Sequence, residues 1–317
     1  MRRLKTAIIA LMCVAALTGC QAAPTASANT PDINPKAEAA NKDTVDVALY
    51  FCYNGEGLLA AETRTIDVPV SATMESAVVK ALLAGPSAGQ SALYGLFWEG
   101  VSLVGTDTNG DILFVTLSEE FVSTQPEGSA LALDSGSAAE QKYLALESIA
   151  ATIVEMGTYS SVQIEVDRGT GVSSRITQAE AGKTESSESL EPLSRNKEII
   201  LTPRNTLEQA LDAFNKKDWT RLYDFTAYTS PDGTMKPDSE AFSQTLSAPG
   251  NALETYSIED SNVSYDGQRA VVLLNCTIKA REGDVVERNN IAVVLLRESY
   301  IWKVSYTSVL SLFVNVE

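Results

Sequence analysis

The chain has 317 residues, a formal net charge of −17 and no histidine. Its length is typical of two domains, and its 44% apolar and 21% charged residues exclude a wholly disordered chain and a multi-span membrane protein. Without histidine, Ser-His-Asp triads, Cys-His dyads and histidine-dependent metal sites are excluded. The acidic balance argues against nucleic acid as a partner, because phosphate neutralisation needs clustered Lys and Arg.

The N-terminus predicts a signal peptide over residues 1–19. Basic residues stand at positions 2, 3 and 5, and an almost wholly apolar run covers 7–17. That run is too short for a bilayer core, which needs about 20 residues, and it fits the apolar core of a secretory signal. The Arg2-Arg3 pair leaves a twin-arginine signal as an alternative, but the motif around the pair is poor and favours the general secretory route.

The signal ends in Leu17-Thr18-Gly19-Cys20, which resembles the bacterial lipobox. The resemblance implies cleavage before Cys20 and lipidation of its thiol, with fatty acyl chains such as palmitate. An ordinary secreted protein with a cysteine there by chance is the alternative. Residues 20–43 are rich in Ala, Pro, Ser, Thr and Asn and predict a lipid-anchored flexible tether. We therefore expect an extracytoplasmic protein, anchored by lipid to the bacterial cell membrane.

Residues 44–168 predict a first domain of mixed α/β type. Apolar residues alternate with period two in its strands and recur every three to four positions in its helices. Gly85-Pro86 stops the first helix, and Asn109-Gly110 marks a hairpin turn. The predicted order is β-β-α-β-β-α-β, with elements near 45–52, 64–68, 73–83, 101–105, 112–117, 138–156 and 162–166.

This first domain resembles the GerMN ("germane") family of bacterial spore-germination and lipoprotein sequences. The residues that carry the resemblance are Leu49-Tyr50-Phe51, 58–64, 81–86, 110–118 and the helix with Ile149, Thr152 and Ile153. The sequence departs from the family at Cys52, where proline is frequent, and at 97–100, where a Pro-Gly-Thr-type turn is usual. The resemblance implies a non-enzymatic module linked to sporulation and germination, with no catalytic residue set.

A polar stretch, 169–198, predicts a linker to a second domain at 199–317. Thr202 and Pro203 begin an amphipathic helix, and 216–219 form a corner before a second short helix. The rest of the domain is predicted as a loop at 229–238, a helix at 240–246 and strands at 255–265, 269–280, 286–297 and 300–310.

Helices followed by an antiparallel meander are similar to the nuclear-transport-factor-two-like superfamily. The residues that carry this similarity are Ala210, Phe214, Lys217-Asp218-Trp219, Leu222-Tyr223 and Ile301-Trp302-Lys303-Val304. The similarity implies an α+β cone whose curved sheet surrounds a pocket for catalysis or protein contact. Enzymatic members commonly use an Asp-His dyad, which this chain lacks, and Asp224 is left as a conceivable base.

Several other residues allow two interpretations. Cys52 and Cys276 lie in alternating apolar runs and are expected as buried thiols, with a disulfide between them as the less favoured alternative. Arg64 pairs with an acidic neighbour or is a solvated strand charge, and the solvated state is favoured. The acidic residues at 107–111 match the start of a calcium loop, but Ile112 and Ser118 break that motif and favour a hairpin turn.

The sequence as a whole predicts an α+β protein, a membrane-anchored interaction or scaffolding module of the cell envelope in sporulation or germination. We expect no catalytic residue, no cofactor-binding residue and no metal ligand, and Cys20 as the one modified position. The expected partners are the membrane, through the lipid, and envelope or sporulation proteins, while the oligomeric state stays open. The alternatives are small-molecule binding or enzyme activity in the second domain's pocket and, less favoured, a solute-binding lipoprotein.

Overall fold

Two small sheets and the helices between them form the first half of the described chain. The computed structural model describes residues 42–124, 138–281 and 283–315; the predicted signal peptide, Cys20 and most of the tether lie outside these ranges. The elements of this half are β1 (Lys42–Tyr53), β2 (Leu59–Pro69), α1 (Met74–Leu83), β3 (Leu93–Tyr94), β4 (Leu103–Asn109), β5 (Ile112–Ser118), α2 (Glu120–Ser123), α3 (Ala138–Glu155), β6 (Ser161–Asp167) and β7 (Ser173–Arg175).

The β-β-α-β-β-α-β order of the main elements is confirmed, with the short β3, α2 and β7 added. One sheet has the order β2-β1-β3, and the other has the order β4-β5-β6-β7. Strands β5 and β6 are parallel, with Ile112 opposite Ser161, because α3 carries the chain back across the sheet between them. We call 42–167 the N-terminal region.

Local signals account for the ends of these elements. Helix α1 begins where the Thr73 hydroxyl accepts a hydrogen bond from the Ser76 amide at 3.1 Å. It stops before Gly85, whose φ of 87° is readily adopted only by glycine. Gly110 and Asp111 join β4 to β5, and Asn109 pairs with Ile112. The predicted hairpin turn is therefore confirmed, one residue further along the chain than expected, where the alternative was a calcium loop.

The expectation for Arg64 is wrong. Its guanidinium forms an ion pair with Glu62 at 2.9 Å and donates to the Gly85 carbonyl at 3.1 Å. Glu62 is only 2% exposed, and it also accepts a hydrogen bond from the Ser87 amide at 3.1 Å. A buried carboxylate needs such partners, which is why Arg64 turns towards the protein.

We call the stretch at 169–198, which is predicted as a linker, the connecting segment. It contains β7 and a bridge between Val162 and Leu193, with hydrogen bonds of 2.8 Å in both directions. Its buried apolar residues are Ile176, Ala181, Leu190 and Leu193. The segment thus packs on the N-terminal region, and the contacts join Asp43–Glu317 into one compact unit. The division into two domains at this segment stays a prediction.

Helices precede an antiparallel sheet in the C-terminal region, 199–315. Its elements are α4 (Pro203–Lys216), α5 (Trp219–Asp224), α6 (Ser239–Ser247), β8 (Ala252–Val263), β9 (Arg269–Lys279), β10 (Val285–Glu298), β11 (Ile301–Val304) and α7 (Tyr306–Phe313). The sheet order is β11-β10-β9-β8. Helix α4 packs against β8, β9 and β11. The predicted α+β class is confirmed by this arrangement.

The end of the chain corrects one prediction, because 306–313 is a helix and not part of a strand. Ser305 caps α7, and its hydroxyl accepts a hydrogen bond from the Ser308 amide at 3.3 Å. The buried residues of α7 are Tyr306, Val309, Leu312 and Phe313. That spacing has the helical period, which a short run of β-branched and apolar residues concealed.

Candidate functional site

The tip of the β1–β2 hairpin contacts the C-terminal region. Asn54 and Gly55 have φ angles of 49° and 72°. Both values are left-handed, as a tight hairpin turn requires, and Asn-Gly is the pair that adopts them most readily. The turn carries three side chains that meet the C-terminal region: Tyr53, Asn54 and Glu56. With their partners Arg221, Asp224 and Lys303, we call them the inter-region contact.

Glu56 and Arg221 form a charged pair across this contact. The Nη2 atom of Arg221 lies 2.9 Å from Oε2 of Glu56, and its Nε lies 3.2 Å from both carboxylate oxygens. Arg221 also pairs with Asp212 at 3.0 Å. Its guanidinium carbon lies 5.3 Å from the centroid of the Phe225 ring. A guanidinium bound by two carboxylates and packed on a ring is held in one geometry.

A second group of hydrogen bonds surrounds the Tyr53 hydroxyl. Lys303 Nζ donates to this hydroxyl at 2.7 Å and also donates to the backbone carbonyl of Asp224. The Tyr53 hydroxyl donates to the same carbonyl at 3.2 Å. Asn54 Nδ2 donates to the Asp224 carboxylate at 3.3 Å. Two residues 250 positions apart, Tyr53 and Lys303, thus join the regions through a partly buried hydrogen bond.

Burial changes the proton affinities of these groups. It lowers the pKa of Lys303 to about 8, although the nearby Asp224 carboxylate opposes the change. It raises the pKa of Asp224 against the opposing charges of Lys303 and Lys236, and it raises the pKa of the Tyr53 phenol. Perturbed groups of this kind occur at catalytic sites and in structural polar networks alike.

The hydrogen-bond partners of these groups distinguish a catalytic role from a structural one. The Asp224 carboxylate, left above as a conceivable base, accepts a hydrogen bond from Asn54. The Lys303 amine is bound to a hydroxyl and a carbonyl, and Lys236 Nζ donates to the Tyr223 and Thr226 carbonyls at 2.8 and 2.7 Å. The hydrogen bonds of these groups are directed at the protein itself, and this favours a structural contact over proton transfer.

Backbone hydrogen bonds add to the inter-region contact. The Leu59 amide donates to the Ile199 carbonyl at 2.7 Å, and the Leu201 amide donates to the Leu59 carbonyl at 2.8 Å. Residues 199–201 therefore pair with the start of β2 before α4 begins. Ile200 is buried together with Tyr50 and Cys52. The chain enters the C-terminal region while it is still bonded to the N-terminal sheet.

The other residues singled out above have these positions. Cys20 lies outside the described residues, so its lipidation stays a prediction. Cys52 and Cys276 are buried free thiols, as expected. Within the described ranges, no group of three Cys, Asp or Glu side chains is placed to hold a metal ion. Each helix there is too short or too polar to cross a membrane.

Most of the inter-region contact was missed by the sequence reasoning. The Asn54-Gly55 turn was visible as a strand break, but nothing in the local pattern links it to Arg221 or Lys303. A lysine inside an apolar closing strand, Ile301-Trp302-Lys303-Val304, was the one available signal. Lysine is rarely buried without a partner, so the position of Lys303 indicated a contact with a polar group. The sequence did not show that this group was Tyr53.

The N-terminal region matches the model of a known protein family. Residues 48–170 match the family model Germane, described as "Sporulation and spore germination". The match confirms the GerMN resemblance over nearly the predicted range. A search of curated proteins found no match.

Three solved structures are similar to parts of the chain. The tandem GerMN domains of the sporulation protein GerM from Bacillus subtilis share 20% identity over 49% of this chain and 46% of that chain, with a TM-score of 0.32. A Clostridium perfringens protein described as a candidate lipoprotein shares 22% identity over 40% of this chain and 76% of that one, with a TM-score of 0.23. An NTF2-like (nuclear-transport-factor-two-like) protein of unknown function from Cytophaga hutchinsonii shares 11% identity over 33% and 88%, with a TM-score of 0.23. This chain thus spans less than half the length of the GerM structure that it matches.

Proposed function

We propose that the protein is a non-enzymatic scaffold of the bacterial cell envelope, anchored by lipid at Cys20 and active in sporulation or germination. The observation that carries the proposal is the match of residues 48–170 to the Germane family model. The proposed partners are envelope or sporulation proteins, bound by the outer surfaces of the two regions.

The anchoring half of the proposal comes from residues 1–43. A basic head, an apolar run and Leu17-Thr18-Gly19-Cys20 stand in the order of a lipoprotein signal. An acidic chain of net charge −17 is repelled by anionic headgroups, so the acyl chains supply the attachment. The tether that follows lifts the folded part away from the bilayer.

The scaffolding half is supported by the inter-region contact. The Glu56–Arg221 pair, the Lys303–Tyr53 hydrogen bond and the pairing of Leu59 with residues 199–201 fix one region against the other. Interfaces between domains are commonly mobile unless they are well bonded. A partner held by one region is therefore presented in a fixed direction relative to the other region.

The C-terminal region fits the proposal as a nuclear-transport-factor-two-like module used for protein contact. Aromatic rings fill the space between its helices and its sheet: Phe214 and Phe313 stack at 3.7 Å between centroids, and Phe242 lies 5.2 Å from Tyr223 and 5.8 Å from Tyr306. Such rings favour packing over a solvent-filled reaction pocket.

The lipid anchor is tested by metabolic labelling with a fatty acid. The Cys20→Ala variant is expected to lose the label, whereas the matched Cys13→Ala variant, altered in the same signal segment, is expected to keep it. Equal labelling of the two variants would contradict the anchor.

The role in sporulation is tested in the source bacterium by counting heat-resistant spores and their germination. Deletion of the gene is expected to lower one of these counts, and the Cys20→Ala allele is expected to reproduce the defect. Wild-type counts of spores and of germinated spores in the deletion strain would rule out the proposed role.

A further inference from the structure

A cleft of about 330 Å³ opens between the two regions, beside the inter-region contact. Its floor is one face of the β1–β2 sheet, where alternate residues point the same way. The floor residues are Ala48, Tyr50, Ala61 and Thr63. Two of the four are alanines, in a sheet where larger side chains are usual, and their small size leaves the space open.

The opposite wall of the cleft is the β10–β11 hairpin, whose turn has a strained backbone conformation. Ser299 and Tyr300 have φ angles of 47° and 71°, values that such turns normally assign to Asn and Gly. Non-glycine residues in this conformation are strained and recur at ligand sites. Here the turn holds Tyr300 at the cleft, next to Trp302.

The cleft is positively charged, although the chain has a net charge of −17. Arg195 and Arg297 both line it, together with a single carboxylate, Glu155. Arg195 forms an ion pair with Glu155 at 3.0 Å and donates to the Tyr50 hydroxyl at 2.9 Å. One arginine is therefore already neutralised.

Arg297 is the uncompensated charge. Its guanidinium carbon lies 5.8 Å from the Trp302 ring centroid, and its Nε donates to the Tyr300 carbonyl at 3.2 Å. Among the described residues, no carboxylate forms an ion pair with it. The first turn of α4, at Thr202 and Pro203, also lines the cleft and adds the positive end of a helix dipole.

We propose that this cleft binds a monocarboxylate carried on a flat ring. The free edge of the Arg297 guanidinium matches a carboxylate in its planar geometry. The ring of Tyr300, which is 39% exposed beside the buried Trp302, offers a face for stacking. One uncompensated positive charge suits a single negative charge and leaves the second charge of a phosphate dianion unmatched. The ligand site is independent of the scaffold role, so either proposal can fail without the other.

Isothermal titration of the purified full chain with benzoate tests the site, with neutral benzamide as the matched ligand. We expect benzoate to bind with a Kd on the order of 1 mM or tighter, as its size allows, and benzamide to bind at least tenfold more weakly. No binding of benzoate at 10-fold that concentration, about 10 mM, would overturn the proposal. Equal binding of the two probes, or tighter binding of inorganic phosphate, would overturn it as well.

Variants locate the binding. Arg297→Gln is expected to weaken benzoate at least tenfold, and Ala61→Leu is expected to do the same by filling the floor without a change of charge. The control is Arg175→Gln, which removes an exposed arginine on β7 and is expected to leave the affinity unchanged. Circular dichroism is used to show that both cleft variants are folded. If both then bind benzoate with wild-type affinity, benzoate binds elsewhere and the proposed cleft site is rejected.

The same titration separates two sources of the carboxylate. A tripeptide that ends in phenylalanine is compared with its C-terminal amide and with benzoate. Tighter binding of the free-acid peptide than of benzoate identifies the end of a polypeptide as the source. Binding of benzoate but not of the peptide identifies a free small acid, and both results support the carboxylate site.

Discussion

The N-terminal and C-terminal regions fill their interiors with different side chains. In the N-terminal region the central helix α3 is covered on nearly all sides, and 12 of its 18 residues are buried. Polar residues are among them, including Gln141, Glu147 and Thr152. In the C-terminal region α4 buries one apolar face, and the ring of Phe214 on that face stacks on the ring of Phe313.

A helix covered on all sides buries polar groups, which then need partners from elsewhere in the chain. Gln141 Nε2 donates to the Leu96 carbonyl at 3.0 Å, and the Thr152 hydroxyl accepts from the Tyr50 amide at 3.1 Å. The connecting segment supplies Lys183 and Asn196 near the Glu147 carboxylate. The N-terminal region thus adds polar pairing to an apolar core, while the C-terminal region adds stacked aromatic rings.

The largest expected effect comes from breaking the aromatic core. Phe214→Ala removes one ring of the 3.7 Å stack with Phe313 and leaves a cavity, which costs about 3–5 kcal/mol of unfolding free energy. Urea unfolding followed by circular dichroism measures the loss. Tyr265→Ala, at a fully exposed position, serves as control and is expected to change stability by less than about 0.5 kcal/mol. Similar losses in the two variants would contradict the aromatic core.

An intermediate effect is expected where the two regions meet. Arg221→Gln leaves the half-buried Glu56 without its charged partner, which we expect to cost about 1–2 kcal/mol. Since the pair joins the regions, the variant is also expected to unfold in two steps, seen by tryptophan fluorescence and circular dichroism.

The matched control for Arg221 is Lys216→Gln. Lys216 pairs with Asp212 at 2.9 Å, but its side chain is 70% exposed, and we expect a loss below about 0.5 kcal/mol. A single, unshifted transition in Arg221→Gln would show that the charged pair does not hold the regions together.

The smallest effect concerns a buried polar group of α3. Burial raises the pKa of Glu147, although Tyr143, Lys183 and Asn196 oppose the change. Because the folded state then binds the proton more tightly than the unfolded state, Glu147 lowers stability as the pH rises through that raised pKa. Glu147→Gln removes this loss, so the stability of the variant relative to the wild type is expected to increase from pH 4.5 to pH 7.

Urea unfolding at the two pH values measures this gain. Glu254→Gln, which alters an exposed carboxylate on β8, is expected to keep the wild-type pH dependence. If Glu147→Gln also keeps it, the buried carboxyl is not the source of the pH effect.

The period of the apolar residues and the helix-capping residues were sufficient to predict most helices and strands. The strand predicted at 269–280 is β9, and one alternating set of its residues is buried: Ala270, Val272, Leu274, Cys276 and Ile278. The Thr202 cap with Pro203 begins α4, and Lys217, with a φ of 57°, ends it. These signals lie within a few residues of the structure they specify.

The features that the sequence analysis missed depend on distant partners. Arg64 is drawn inward by a buried carboxylate, and the connecting segment folds because Leu193 finds a place beside β6. In the candidate site, Tyr53 and Lys303 meet across 250 positions, and the cleft forms only once β1 and the β10–β11 hairpin face each other. No local pattern encodes such a meeting.

Each region contains one buried cysteine, whose reactivity depends on the local opening of that region. Cys52 is fully shielded, its Sγ donates to the Glu56 carbonyl at 2.9 Å, and burial raises its pKa to about 12. Cys276 is 5% exposed in the other region, and burial raises its pKa also. Since the thiolate is the reactive form, alkylating reagents have access only after local opening. The rate at which each cysteine is modified therefore measures how often its own half of the molecule opens.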